Sequence, residues 1–220
     1  MTKTLPALDT KYRIAELEES YRQQTLAMAC SLISLIDLRD HYTGGHSARV
    51  ANYVRGIAVQ MGLHEDEAEN IVLAAALHDI GKIGVPDHVL LKPGRLTEEE
   101  FDWIRKHPEW GWMAVRNVEG FHDASLLLLH HHERLDGGGY PGKLKGSEIP
   151  LGSRLIAVAD SFDALTTNRP YRTARTVDEA VFELRRCASC EGRQSTIAER
   201  DGWVIIGIGH GAWIRNSGTI

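Results

Sequence analysis

Seven potential metal ligands constrain the fold of this chain more than any other feature, because they are far apart in sequence and act only if they meet in space. Imidazole nitrogen and carboxylate oxygen together suit borderline-to-hard divalent cations, and one carboxylate can bridge two of them. Seven side chains are too many for one ordinary site and about right for two neighbouring ions. They are spread over 115 residues, at His46, His78, Asp79, His107, His131, His132 and Asp160. The sequence therefore predicts a fold that gathers them around a pair of metal ions.

The fold that gathers these ligands is predicted to be all-α. Up to Arg186, almost no stretch alternates apolar and polar residues with the period of two that is typical of strands. Two capping boxes, which begin at Thr97 and Thr176, mark the starts of helices. Pro108 suits a first helical turn because it lacks an N–H. Helices are expected at about residues 11–40, 46–61, 65–79, 126–133 and 154–166, with loops at 80–96 and 135–142.

Composition and periodicity divide the chain into three segments, namely a helical linker at 1–40, a central domain at 41–186 and a divergent tail at 187–220. The linker repeats apolar residues at roughly heptad positions, as in a coiled-coil seam, so a homodimer through this helix is one interpretation. Gln24 and Ser31 interrupt the seam, and a helix packed on its own domain fits equally well. The seam residues are Ile14, Leu17, Tyr21, Met28 and Leu35. The tail is polar and glycine-rich, and its apolar run 203–208 favours a strand.

The overall charge and the cysteine usage exclude several classes of protein. The formal net charge of −5 argues against binding to a nucleic acid polymer, so an anionic substrate must be held by metals and a few basic side chains. An odd number of cysteines, three in all, suits a reducing compartment. The residues after Met1 do not resemble an export signal, and the apolar stretch 26–38 is too short for a membrane span. We expect a cytoplasmic protein with no membrane span.

The predicted ligands fall at helix ends, where neighbouring side chains can reach one ion. Residues adjacent in a helix point about 100° apart, so His78 and Asp79 share a metal only if it lies at the end of their helix. His131 and His132 likewise precede a glycine-rich loop. Asp160 stands in an apolar stretch, where a buried carboxylate must be paired or metal-bound. Together these patterns favour metal ligands over satisfied core histidines.

Other potential ligands are given an ordinary structural role. Cys187 and Cys190 have zinc-like spacing but lack a second pair. His130 turns away from His131 on the same helix and is not counted as a ligand. The histidines expected at the surface are His41, His64, His88, His122 and His210.

The motifs around the ligands resemble those of the HD-GYP family, a branch of the HD phosphohydrolases. The matching strings lie at 42–47, 78–87, 92–94, 107–108, 131–134, 136–141, 149–151, 158–160, 162–165 and 169–172. The likeness covers about residues 20–186. It implies that segment 41–186 is a catalytic HD-type helical bundle, and that the long first helix is similar to the linker that follows a receiver or sensor domain in such proteins.

The resemblance also implies a reaction, in which cyclic di-GMP is hydrolysed to linear pGpG, and often on to GMP, by a hydroxide that bridges two metals. The ligands would divide between the ions as His46, His78, Asp79 and Asp160 for one and Asp79, His107, His131 and His132 for the other, with Asp79 as the bridge. Some relatives bind a third ion through a glutamate, and Tyr42 stands at that position here, so two ions are expected. Iron or manganese suits this set of nitrogen and oxygen ligands better than zinc.

Family positions further suggest the substrate contacts. Lys82 would place positive charge at the phosphate and act with Asp79 in catalysis. Arg169 and Arg172 match residues that hold the second phosphate or a guanine, as the guanidinium fork can; solvated residues in a turn are the alternative. Tyr140 would stack on a guanine. The adjacent glycines 137–139 would let a ligand approach closely. The alternatives for this loop are a plain tight turn or a contact with a partner such as a diguanylate-cyclase-type protein.

The likeness ends after Arg186. The family continues with a Phe-Asp-Pro turn and a further helix, whereas this chain has an unrelated segment up to Ile220, and a change of reading frame is favoured over a natural variant. The ligand set is complete, but the helix packing behind Asp160 and Arg169 loses support. Two alternatives therefore stand beside a cyclic di-GMP phosphodiesterase. One is a weak or inactive signalling module that binds cyclic dinucleotides, and the other is a phosphohydrolase for another cyclic dinucleotide.

Overall fold

Helices account for nearly all of the regular structure in the computed structural model, which describes residues 5–39, 45–168, 173–189, 199–200 and 203–204. The α-helices of these residues are α1 (Leu5–Arg39), α2 (His46–Gln60), α3 (Glu65–Leu77), α4 (Asp87–Leu90), α5 (Glu98–Arg105), α6 (His107–Val115), α7 (His122–Leu129), α8 (Leu151–Thr166) and α9 (Val177–Ser189). Two 3-10 helices, Ile80–Gly84 and Gly146–Glu148, lie between them. The prediction of an all-α fold is confirmed.

The tail contributes one small strand pair. Strand β1 (Glu199–Arg200) pairs antiparallel with β2 (Trp203–Val204). The strand predicted at 203–208 is thus present in its first two residues, and 205–208 lie outside the described residues. Helix α9 runs three residues beyond the predicted domain boundary at 186, and the boundary at 40 falls in 40–44, also outside the described residues. The three-segment division stays a prediction.

The core lies where α2, α3, α7 and α8 pack against one another. Its side chains recur at helical spacing, so each of these helices turns an apolar face inward. The most deeply buried aliphatic side chains of the core include Val50, Val54, Ile57, Ile71, Leu77, Leu128, Leu155 and Ile156. This packing holds the ends of α3 and α7 close to the start of α2 and the middle of α8, where the predicted ligands lie.

Helix α1 has one face that packs on the domain and another that is exposed. Ala29, Ile33 and Ile36, each 7% exposed, pack onto the domain, and α1 contacts α3 and the 3-10 helix Ile80–Gly84. The five predicted seam residues lie on another side of α1 and are 49–69% exposed. Packing on the domain and an apolar seam are therefore compatible, because they involve different faces of one helix.

Several helix boundaries follow from local chemistry that the sequence shows only in part. The capping boxes at Thr97 and Thr176 are confirmed, since each threonine hydroxyl accepts from the N–H three residues later and that residue's carboxylate accepts from the threonine N–H. Helix α8 begins at Leu151, directly after Pro150, rather than at 154. The segment 80–96 holds a 3-10 helix and the short α4, which is more structure than the one turn predicted.

The prediction that a helix continues to Glu133 is wrong, because α7 ends at Leu129. His131 Nδ1 donates to the carbonyl of Leu128 at 2.5 Å, and in a continuing α-helix the N–H of residue 132 would bond that same carbonyl. The imidazole competes with the helix for its acceptor. Helix α3 ends at Leu77, before the predicted Asp79, in the same way: His78 Nδ1 donates to the carbonyl of Ala75 at 2.7 Å.

Within the described residues, none of the helices combines the length and the apolar character needed to cross a bilayer.

Candidate metal centre

All seven predicted ligands meet at one place, between the start of α2, the ends of α3 and α7, the start of α6 and the middle of α8. Asp79 is at the centre, and its two carboxylate oxygens face different neighbours. Asp79 Oδ2 lies 3.8 Å from His46 Nε2 and 3.4 Å from His78 Nε2. Asp79 Oδ1 lies 3.5 Å from His107 Nε2. The geometry is that of a carboxylate between two groups of ligands.

The two groups can be defined by their distances. The first cluster comprises His46, His78 and Asp79, whose ligand atoms lie within 4.8 Å of one another, with Asp160 Oδ1 at 3.3 Å from His46 Nε2. The second cluster comprises His107, His131 and His132, again within 4.8 Å, with Asp79 Oδ1 beside it. This division matches the two ligand sets that the family resemblance implies.

Three of the histidines are oriented by backbone carbonyls of the helix that ends just before them. His78, His107 and His131 each donate Nδ1–H to the carbonyl three residues earlier, at 2.7, 2.7 and 2.5 Å. For His107 the competing N–H is missing, because the next residue is Pro108. A carbonyl can only accept, so the proton sits on Nδ1 and the lone pair on Nε2 points into the cluster. The His-Asp, His-Pro and His-His dipeptides thus fix the imidazoles at helix ends.

The second cluster favours neutral imidazoles. Burial lowers the pKa of His107 to about 3 and that of His132 to about 4, and burial together with the nearby His132 holds the pKa of His131 well below its usual value. His107 Nε2 and His131 Nε2 lie 3.3 Å apart. Since both protons are on Nδ1, the two nitrogens present lone pairs to each other and cannot form a hydrogen bond.

This arrangement fits a bound cation. His78 Nε2 is also buried and has no hydrogen-bond partner among the described residues, which is costly for a polar atom unless something else satisfies it. Nitrogen lone pairs that converge around a carboxylate are what a divalent ion of the first transition row requires. The residues present therefore fit bound divalent metal ions.

In the first cluster, His46 is held by charged side chains instead. His46 Nδ1 donates to Asp163 Oδ2 at 2.7 Å, and Arg49 donates to both oxygens of the same carboxylate. Burial alone would lower the pKa of His46, but hydrogen bonds to Asp160 and Asp163 raise it to about 10. A metal ion would replace the proton on His46 Nε2, while Asp163 would keep the ring in place.

Two acidic residues of the first cluster differ in burial. Burial would raise the pKa of Asp79, but Lys82 and the surrounding histidines hold it well below its usual range. The side chain of Asp79 is 10% exposed, whereas that of Asp160 is 23% exposed. Asp160 is thus less buried than its apolar neighbours in sequence predict, because it is on the face of α8 that turns towards the site.

Asp163 was missed as part of the site, although it lies in one of the matched motifs. It is 2% exposed, and it follows Asp160 by three residues on the same face of α8. That spacing was the available signal. A second carboxylate one helical turn from a predicted ligand indicates a residue that supports the ligands.

Lys82 reaches the site from the 3-10 helix Ile80–Gly84, called here the Lys82 turn. Its Nζ lies 2.7 Å from Asp79 Oδ2. The turn packs directly on α6, and a Cβ added to Gly81 would lie 1.9 Å from the carbonyl oxygen of His107. Only glycine allows this approach, which brings Asp79 close to His107.

Tyr140 forms part of the wall beside the second cluster. Its ring lies 4.9 Å from the ring of His132, tilted by 31°, and its N–H donates to the carbonyl of His132 at 3.2 Å. Burial raises the pKa of its hydroxyl, which therefore stays protonated. One face of the ring is taken by His132, so a stacked base would use the other.

Glu133 connects the glycine-rich loop to the end of α7 through hydrogen bonds. Its carboxylate accepts from the N–H of Gly142 at 2.5 Å and from that of Leu144 at 3.1 Å, and its side chain is fully buried. Sequence reasoning gave this residue no role. A buried carboxylate directly after a His-His pair was the signal, since such a group needs donors.

The remaining histidines mostly follow expectation. His64, His88 and His122 are exposed. His130 belongs to neither cluster, and its Nδ1 lies 3.5 Å from Glu133 Oε1. His41, His210 and the predicted substrate residues Arg169 and Arg172 lie outside the described residues.

Comparison with known proteins places these features in a family. A family model described as an HD domain matches residues 31–190. The chain is 43% identical over 171 residues to the cyclic di-GMP phosphodiesterase response regulator RpfG of Xanthomonas campestris, covering 77% of this chain and 44% of that protein. It is 36% identical over 168 residues to a 3'3'-cGAMP-specific phosphodiesterase of Vibrio cholerae, covering 76% and 39%.

The fold also has a counterpart among solved structures. An HDG"Y"P protein from Bdellovibrio bacteriovorus superposes with a TM-score of 0.55 at 21% identity, over 69% of this chain and 48% of that one. The chain thus spans less than half the length of each of these proteins.

Proposed function

From the premise that this chain belongs to the HD domain family, in its HD-GYP branch, we propose that it is a metal-dependent phosphodiesterase that hydrolyses cyclic di-GMP. The observation that carries the proposal is the position of Asp79, with one oxygen towards each cluster. The relative from Xanthomonas campestris, which is named a cyclic di-GMP phosphodiesterase, supports the substrate.

In the proposed reaction the chain's own residues have distinct tasks. Two bound metal ions would activate the attacking water and neutralise the phosphate oxygens. Asp79 would join the two clusters, and the carbonyl-bonded histidines would keep their lone pairs inward without reorganisation. Lys82, 2.7 Å from Asp79, would stabilise negative charge that develops on the phosphate. Tyr140 would offer the ring face opposite His132 to a guanine, and Arg169 and Arg172 would hold the distal phosphate or base.

The metals are proposed to be iron or manganese. The two clusters offer imidazole and carboxylate groups and no thiolate. These ligands suit iron or manganese better than thiolate ligands do. Metal analysis of protein purified without oxygen tests the assignment, with two ions per chain expected. A single ion per chain, or zinc in preference to both metals, would contradict it.

The substrate is tested by incubating metal-loaded protein with cyclic di-GMP and separating the products by chromatography. We expect pGpG first, followed by GMP if the linear product is also cleaved. The Asp79→Asn variant serves as the control for contaminating phosphodiesterases. Tight binding of cyclic di-GMP without turnover would replace the enzyme with the alternative of a binding module.

A second substrate deserves the same assay. The relative from Vibrio cholerae named as 3'3'-cGAMP-specific is 36% identical to this chain, so the ligand set alone does not select one cyclic dinucleotide. Rates for cyclic di-GMP and 3'3'-cGAMP, measured side by side, discriminate the two. A preference of tenfold or more for 3'3'-cGAMP would transfer the proposal to that substrate.

We also propose a parallel homodimer through α1. Its exposed seam residues occupy the a and d positions of a heptad pattern, with Ile14 at a and Leu17 at d. Arg13 and Glu18 then occupy g and the following e position, where opposite charges of two parallel copies face each other. Sedimentation equilibrium should give a dimer, and Met28→Glu should dissociate it, whereas Ala15→Glu outside the seam should not. A monomeric parent protein would contradict the proposal.

The family resemblance supports one more partner. A diguanylate-cyclase-type protein would contact the glycine-rich loop, whose Gly138 is exposed. Binding of such a cyclase domain, compared between the parent protein and a Gly138→Trp variant, tests this, and equal binding by both would place the contact elsewhere.

A further inference from the structure

We infer that Arg39, the last residue of α1, is a positioning residue that holds the Lys82 turn against the metal centre. The inference rests on the proposed function for the role of Lys82 itself. It assigns to α1 a direct mechanical connection with the residue that would stabilise the reacting phosphate.

Arg39 uses every N–H donor of its guanidinium in hydrogen bonds. Its Nη1 donates to the carbonyls of Lys82 and Ile83 at 3.2 and 2.8 Å, and its Nη2 donates to the carbonyl of Val85 at 2.6 Å. Its Nε and Nη2 donate to Asp87 Oδ1 at 3.0 and 2.6 Å. A guanidinium has five N–H donors in a planar fork, and these five bonds use them all.

The acceptors explain why this contact matters for the turn. The last carbonyls of a helix have no partner within it, and here the carbonyls of Ile83 and Val85 lie at or just beyond the end of the 3-10 helix. The Lys82 carbonyl, which Arg39 also binds, accepts in addition from the N–H of Val85 at 3.0 Å. The side chain of Ile83 points outwards, since that residue is 62% exposed, so it does not anchor the turn. Gly81, at the start of the turn, lies directly against α6. The turn is thus held between α6 and the Arg39 guanidinium.

The direction of Lys82 depends on this clamp. Two of the three carbonyls that Arg39 binds belong to Lys82 and the residue after it, so the clamp fixes the backbone from which the Lys82 side chain extends towards Asp79. A displacement of about 1 Å in a group that acts on the transition state can cost as much as a hundredfold in rate. Loss of the clamp should therefore reduce turnover while the metal ligands remain in place.

A second contact from the same end of α1 supports the connection. Ser47 Oγ donates to Asp37 Oδ1 at 3.2 Å, and Ser47 follows the first-cluster ligand His46. Burial of Asp37 raises its pKa, and the nearby charges of His46 and Asp79 shift that pKa in opposite directions. Asp37 and Arg39 thus tie the last turn of α1 to both sides of the metal centre. A change in the position of α1 would reach Lys82 through Arg39.

The inference is tested with Arg39→Ala and Arg39→Lys, together with Arg55→Ala as a control at an exposed arginine of α2. We expect Arg39→Ala to lower kcat for cyclic di-GMP between about tenfold and a hundredfold, with metal content unchanged. Arg39→Lys should be intermediate, because an ammonium has three donors and cannot span three carbonyls and Asp87. Asp87→Asn should have a smaller effect, since the carbonyl contacts persist.

A double-mutant cycle separates positioning from a general structural effect. In a Lys82→Ala background, Arg39→Ala should cause no further loss of kcat, because the residue it positions is absent. A full additional loss in that background, or a kcat within twofold of the parent for Arg39→Ala alone, would overturn the inference.

Hydrogen exchange gives a readout that does not need turnover. Amides 82–85 should exchange faster in Arg39→Ala than in the parent, and Arg55→Ala should leave them unchanged. Unchanged exchange in Arg39→Ala would refute the clamp whatever the substrate is. Faster exchange in a protein without phosphodiesterase activity would keep the clamp and refute the proposed function instead.

Discussion

The two halves of the metal centre orient their ligands partly by different means. In the second cluster His107 and His131 are fixed by backbone carbonyls, and burial keeps the imidazoles neutral. In the first cluster His78 is also fixed by a backbone carbonyl, but His46 is fixed by the carboxylate of Asp163, which Arg49 also binds. An imidazole bound to a helix-end carbonyl moves only with that helix, whereas a network of charged side chains can rearrange. We therefore call the second cluster the rigid half and the first cluster the half that depends on charge.

The largest effect is expected from Asp79→Asn, which removes the feature that the two halves share. Each cluster loses an anionic oxygen, and the amide that replaces it is a much weaker metal ligand. We expect turnover to fall by more than about a hundredfold, because even outer partners of metal ligands are worth up to that much, with a loss of metal from both clusters. Initial rates and metal analysis measure this. Asp66→Asn, at an exposed aspartate, is the matched control. Bound metal in Asp79→Asn equal to that of the parent would contradict the bridging role.

Gly81→Ala should separate the two halves without changing any ligand. The added Cβ would lie 1.9 Å from the carbonyl of His107, so the Lys82 turn must leave α6 and take Asp79 with it. We expect a loss of more than about 3 kcal/mol in the free energy of unfolding, as for an overpacked core, measured with urea. Gly56→Ala is the control, because nothing lies within 4 Å of its added Cβ, and a helical alanine there should add about 0.5–1 kcal/mol. Equal stability of the two variants would show that the turn does not depend on this contact.

Asp163→Asn should weaken the charge-dependent half alone. His46 would lose the carboxylate that orients its ring, and outer partners of this kind are worth about ten- to a hundredfold in metal affinity. Metal titration should then resolve one weakened and one unchanged binding step. If both steps weaken equally, the difference between the clusters proposed here is wrong.

The smallest effect is expected from Tyr140→Phe, beside the rigid half. The ring of Tyr140 lies against His132, and a phenylalanine preserves that contact. We expect kcat and KM for cyclic di-GMP within about twofold of the parent, because the ring and not the hydroxyl forms the wall. Tyr140→Ala, which removes the ring, should raise KM. A tenfold loss with Tyr140→Phe would assign chemistry to the hydroxyl.

Residue type and spacing were enough to predict which seven side chains converge, because these side chains occur in short local patterns such as His78-Asp79 and His131-His132. The helical fold was predictable for the same reason, since capping boxes and apolar periodicity are local. The roles of Asp163 and Arg39 were not, since they arise from contacts with residues more than 40 positions away. The end of α7 was misplaced because the leucines before His130 favour a helix, whereas an imidazole takes up the carbonyl that the helix would use.

The spacing of the ligands along the chain has a consequence for how each ion would act on the unfolded polypeptide. An ion that joins His46 to Asp160 would cross-link residues 114 positions apart, whereas one that joins Asp79 to His132 would close a loop of 53 residues. Loop-closure entropy grows by about 0.6 kcal/mol for each doubling of loop length, and the longer loop is about one doubling larger. The ion of the first cluster would therefore restrain the unfolded chain by roughly 0.6 kcal/mol more, as a cross-link between distant parts of the domain.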